Sequence, residues 1–168
     1  MVVLVLGAAC ILPRCAMVGS QEGNIQDQLK GSWKSKCTGV GSGVYVMTTS
    51  TFDGAGQSTN KVIFYSDAAC SQPTAMVKTD TATYKIGKQI DIEGMKAYEM
   101  DLTITKWSLE QNGSTLKSGG EVPTQYDVIA IEGDKFYTSG LTRKDKGPVL
   151  DPAERPNTLD KDHFFAKQ

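Results

Sequence analysis

From residue 31 onward the apolar residues of this chain recur mostly at every second position, the period of an extended strand whose side chains alternate between two faces. The run Ala97-Tyr98-Glu99-Met100-Asp101-Leu102-Thr103-Ile104 shows it most clearly. Glu99, Asp101 and Thr103 interleave with Tyr98, Met100, Leu102 and Ile104, giving one wet face and one core face. The same period predicts strands over 31–39, 43–53, 58–66, 74–86, 89–93, 97–107, 124–132 and 135–141, preceded by a short helix over 24–30. In the third of these strands Val62 and Phe64 alternate with Ile63 and Tyr65, so both faces are apolar and the outer one is expected to be covered.

Turn chemistry separates the runs. Asp53-Gly54-Ala55-Gly56 closes a hairpin, Gly87-Lys88 interrupts the long fourth run, and Glu132-Gly133-Asp134-Lys135 joins the last two. Residues 108–122 form a long connection rich in Gly and Ser, with Asn112-Gly113 suited to a small hairpin inside it. A connection of that length is flexible or functional, and is expected over one barrel mouth. From residue 141 the chain turns rich in proline and charge, through Gly147-Pro148, Asp151-Pro152 and Arg155-Pro156, which predicts an irregular wrap tied down by Phe164 and Phe165. Eight strands joined by hairpin turns predict an all-β, antiparallel, up-and-down eight-stranded barrel with an irregular C-terminal tail. Closure removes exposed strand edges, and eight strands enclose an interior that just holds side chains or one small ligand.

The start of the chain follows a different pattern. Val2 to Leu12 is an apolar run about half the ~20 residues that span a bilayer. Pro13 and the small residues Gly19 and Ser20 follow it, so residues 1–20 read as a secretory leader and 21–168 as a single domain. The alternative is a lipid anchor on Cys10, which Leu6-Gly7-Ala8-Ala9 precedes. Leader removal leaves Cys37 and Cys70, which are expected to pair outside the reducing cytosol and to contribute roughly 3–4 kcal/mol in the chain-entropy model.

Charge and motif content narrow the function. Eighteen Lys plus Arg are interspersed with 19 Asp plus Glu, with no basic stripe for nucleic acid and no polybasic patch for a membrane surface. One histidine and no close cysteine pair argue against zinc. Gly39-Val40-Gly41-Ser42-Gly43 has no following helix and reads as a loop rather than a phosphate cradle. His163, the one imidazole, sits with Asp160 and Asp162 in a segment that reads as a hydrogen-bonded final turn, while Glu99 and Asp101 read as solvated outer-face carboxylates. No catalytic residue, metal ligand or cofactor is expected.

Two resemblances follow from these residues. Leu29-x-Gly31-x-Trp33 resembles the Gly-x-Trp opening of lipocalins, small secreted barrels that carry apolar ligands. Thr124-Gln125-Tyr126 is similar to a Thr-Asp-Tyr element of that family, departing at Gln125, and Arg143 stands where lipocalins place an arginine across the tryptophan. The resemblance implies a guanidinium stacked on Trp33. A closer resemblance is to the domains called adenomatosis polyposis coli down-regulated 1, through Gly31, Trp33, Ser35, Cys37, Tyr65, Asp67, Cys70, Tyr84 and Gly87, with Ser35 one residue nearer to the cysteine than the pattern asks. Tyr126-Asp127-Val128 and the stretch 155–160 resemble later segments of its bacterial members. Animal members bind lipid-modified signalling proteins, and what carries over is the expectation of an apolar cavity.

Tyr45, Met47, Ile63, Tyr65, Tyr84, Tyr98, Met100 and Ile129 fall on apolar registers of the predicted strands and are the candidate lining of that cavity. A hollow interior and a filled one give the same periodicity. The expectation is therefore a secreted or periplasmic monomer that binds a small apolar or amphipathic, lipid-like ligand. The alternative is a filled barrel whose mouth loops recognise or inhibit a protein partner.

Overall fold

A computed structural model describes residues 24–140 and 147–168, so the expected leader, the Cys10 anchor and Arg143 lie outside the described residues. The first element is a single helical turn, α1 (Ile25–Leu29). Asn24 caps it, its side-chain oxygen accepting from the Gln26 amide at 3.1 Å. Ile25 and Leu29, one turn apart, share a face and are both buried.

Ten strands follow: β1 (Gly31–Ser35), β2 (Thr38–Gly41), β3 (Val44–Phe52), β4 (Gln57–Tyr65), β5 (Pro73–Ile92), β6 (Met95–Gln111), β7 (Ser114–Gly119), β8 (Gln125–Glu132), β9 (Lys135–Thr138) and β10 (Phe165–Lys167). Eight of them close a ring, β1-β3-β4-β5-β6-β8-β9-β10 and back to β1, with every neighbour antiparallel. β2 adds to the rim along β3, and β7 pairs with the far end of β6. The molecule is a closed, antiparallel, up-and-down eight-stranded barrel.

The strands differ from those expected from sequence at four places, the first being that the expected 31–39 strand ends at Ser35 and its remainder stands apart as β2 on the rim. The fourth and fifth expected strands are one, β5, because Gly87-Lys88 makes a register shift between Ile86 and Gln89 rather than a break. A Cβ on Gly87 would come within 2.9 Å of the Glu99 Cβ, so glycine lets the two backbones pass. The vacated eighth place is taken by β10 from the tail, with Phe165 opposite Phe136 and Lys167 opposite Trp33. The 108–122 connection is largely a ribbon: β6 runs on to Gln111, turns at Asn112-Gly113 and returns as β7.

Two apolar clusters hold this frame. One fills the barrel's closed end with Leu29, Trp33, Phe52, Tyr84, Ile129 and Phe136 among others, α1 acting as the plug. Phe136 is central to it, with ring centroids 5.6 Å from Trp33, 5.6 Å from Phe52 and 5.5 Å from Phe165. The other lies on the outer face of β8 and β9, where Val128, Ala130 and Tyr137 are covered by Leu159 and Phe164 of the tail and by Ile92 and Ala97 at the tip of β5–β6. β8 is thus buried on both sides, with Val128, Ile129 and Ala130 all at 0% exposure. Arg155 fastens the tail to the wall. Its guanidinium donates to the carbonyls of Met100 at 2.9 Å and Asp127 at 2.8 Å, and pairs with the Asp101 carboxylate at 2.6 Å.

Candidate functional site

Cross-strand partners in a sheet share a face, so the register defines the barrel interior. Trp33 lies opposite Ser50, Ser50 opposite Asn60, and Asn60 opposite Asp80. The inner row therefore runs from a fully buried tryptophan to a buried carboxylate. On the next inner positions Phe52 faces Ser58 and Ser58 faces Ala82, while Tyr84 faces Leu102 and Leu102 faces Gln125. Along β5 alone the inner positions read Lys78, Asp80, Ala82, Tyr84, polar at the mouth and apolar toward the plug.

The mouth holds a cavity of about 410 Å³, walled by Asn60, Lys78, Asp80, Gln125 and Asp127 on the polar side and by Leu102, Ile104 and Val149 on the apolar side. A second cavity of about 260 Å³ lies toward β1, β3 and β10, with Val40, Val46, Thr48 and Phe165 in its wall. Gly140 borders both.

Asp80 is 5% exposed. One carboxylate oxygen pairs with the Lys78 ammonium at 2.8 Å, while Oδ1 is fully buried and has no hydrogen-bond partner. A buried acceptor left unpaired is costly, which marks this atom as a feature to be explained. Asp127 is satisfied differently. Its Oδ1 accepts from the Val128 amide at 2.7 Å, the Ser139 amide at 3.2 Å and the Ser139 hydroxyl. Burial pushes this carboxyl above its ordinary range, and those three donors only partly offset the effect.

The candidates named from sequence divide into two groups. Tyr84, Met100 and Ile129 sit in the closed-end cluster with Tyr98 packed against them, and the Tyr98 hydroxyl donates to Gln89 at 3.1 Å. Tyr45 pairs with Tyr65 and Met47 with Ile63. These four occupy the alternate positions to Val46, Thr48 and Asn60 and so belong to the outer wall of β3–β4. Because both faces of those strands are apolar, periodicity alone does not choose between them. None of the eight named residues walls the main cavity: its polar residues do not fit an apolar lining, and Leu102 and Ile104, on the inner face of β6 with Met100, were not among the eight. The available signal for Lys78 and Asp80 was their parity with Tyr84 along β5.

The structural candidates stand at the two ends. Gly31, at φ +118°, opens β1 in a conformation that favours glycine, and Trp33 donates its indole N–H to the Leu29 carbonyl at 2.6 Å. Among the described residues, the cation over the Trp33 ring is Lys167, 5.0 Å from the centroid, which also donates to the Gln28 carbonyl at 3.2 Å. Cys37 and Cys70 form a disulfide beside the mouth. Asp67 builds the turn that presents Cys70, accepting from the amides of Ala69, Ser71 and Gln72 and from the Ser71 hydroxyl. Desolvation pulls its carboxyl up, but these donors outweigh it and hold the group below its ordinary value. His163 Nδ1 lies 3.1 Å from Asp160, whose carboxylate also accepts from the amides of residues 162 and 163.

Among the described residues, no helix is long and apolar enough to cross a membrane, and no three His, Cys, Asp or Glu side chains are grouped as a metal site. No protein-family model matches the chain, and no curated protein matches it significantly.

Proposed function

We propose that this protein is a secreted or periplasmic, non-catalytic binding barrel that takes one small amphipathic molecule into its open mouth. The observation that carries this reading is the pair of cavities bordering Gly140, the larger of which has both polar and apolar side chains in its wall. The larger alone, at about 410 Å³, falls in the size range of small-molecule sites, which are largely pre-formed and pair apolar walls with a few placed polar groups. The tightly filled closed end supports binding at the mouth rather than along the barrel axis. The Cys37–Cys70 disulfide is compatible with an oxidising compartment. Gly31, Trp33, Asp67 and the two cysteines support kinship with the lipocalin-like domains of the adenomatosis polyposis coli down-regulated 1 type.

Native mass spectrometry of the protein purified from its own host tests the reading. Retained mass that leaves on denaturation is the expected result. A clean unliganded mass, together with a protein that co-purifies, would instead favour the second reading, recognition of a partner through the β6–β7 ribbon, whose Leu116 is 52% exposed.

A further inference from the structure

The wall of the larger cavity is rich in acceptors. Asp80 Oδ1 is buried without a partner, and the Lys78 ammonium beside it is already engaged with the other oxygen of the same carboxylate. Asn60 and Gln125 add side-chain amide oxygens, and Asp127 contributes a second buried carboxyl. Among the described ionisable side chains in this wall there are two acids and one base. An anionic ligand would meet two carboxyl groups and a lysine that is already paired. A ligand bearing a donor would add a partner to this under-satisfied carboxylate, and a charged donor makes a stronger bond to a carboxylate than a neutral one does.

We propose that the mouth cavity is selective for a small aliphatic amine, its ammonium group pairing with the Asp80 carboxylate while its chain lies against Leu102, Ile104 and Val149. This deepens the binding reading above and rests on it. Lys78 has a defined part in the selectivity. Its positive charge holds Asp80 in place and repels the incoming ammonium, so affinity is tempered rather than maximal. Asn60, directly across from Asp80 in the inner row, is placed to orient the remaining N–H groups.

The experiment compares octylamine, octanol and octanoate, which share one chain, by calorimetric titration of the oxidised protein at neutral pH. Octylamine is expected to bind about tenfold tighter than octanol, with octanoate weakest. Asp80→Asn is expected to bring octylamine down to parity with octanol, and Lys78→Gln to raise octylamine affinity several-fold. The two variants move in opposite directions, so the proposal remains testable if one of them folds poorly. Equal binding of amine and alcohol, or preference for octanoate, would overturn the amine assignment and leave the binding reading standing. No binding of any of the three would overturn both.

Discussion

The two ends of this barrel are built from the same staves on opposite physical terms. At the closed end the inner positions are aromatic and aliphatic, interlocked around Phe136 and sealed by α1. At the mouth, two to six residues farther along the same strands, the inner positions are Asn60, Lys78, Asp80, Gln125 and Asp127. The contrast teaches that the filled end supplies the stability that lets the other end keep a cavity and an unpaired carboxylate oxygen. Strained or unsatisfied groups of this kind persist where the surrounding structure over-determines them.

That division can be broken most directly by Phe136→Ala, which removes the ring shared by Trp33, Phe52 and Phe165. It is expected to destabilise by about 3–5 kcal/mol in guanidinium unfolding. Gln125→Ala at the mouth is expected to stay within about 1 kcal/mol of the wild type. Equal losses would mean that the two ends are not energetically distinct. Replacing Cys37 and Cys70 by serine is expected to cost roughly 3–4 kcal/mol. Hydrogen exchange should then rise beside the mouth, around Ser35 and Tyr65, before it rises near Trp33. Lys167→Met, which removes the cation over Trp33, is expected to cost about 0.5–2 kcal/mol, read as a lowered denaturant midpoint.

The smallest effect is one of sign with pH. Asp127 titrates above its ordinary value in the folded state, so its contribution to stability is full at low pH and is lost as pH rises through that raised value. Asp67 titrates below its ordinary value, so its contribution is present above the unfolded pKa and is lost as pH falls through the folded one. Measured against Asp127→Asn the wild type should gain relative stability on acidification, and against Asp67→Asn it should lose it. Parallel slopes for the two variants would contradict the assignment of a desolvated carboxyl to the cavity and a hydrogen-bonded one to the turn.

The barrel was legible in the sequence because most of its strands are apolar on one face only, as the alternation from Ala97 to Ile104 illustrates, and because Asp-Gly and Asn-Gly pairs mark the turns. Glu99 and Asp101 indeed stand on the outer face, paired with Lys88 and Arg155. β10 was not legible as a strand, since Phe165-Ala166-Lys167 is too short to show a period and gains its place only from partners far away in sequence. The site was less legible than the fold. A search for apolar lining passes over Asp80 and Asp127, because at a barrel mouth inner no longer means apolar. On β3 and β4, where both faces are apolar, alternation gives no preference for Met47 over Val46.

The ring closes through β10, whose Lys167 reaches the Gln28 carbonyl across 139 residues of chain. That contact has a kinetic consequence. Until this segment has been made and delivered, β1 and β9 are free edges, and the loop-closure entropy of this long-range contact stands between a curled sheet and a sealed barrel. During that interval the open edges are templates for pairing with another copy of the chain. Pulse-labelled refolding should accordingly find the amides of β1 and β9 that face β10 among the last to be protected, and misassembly should rise with any change that delays the arrival of Phe165.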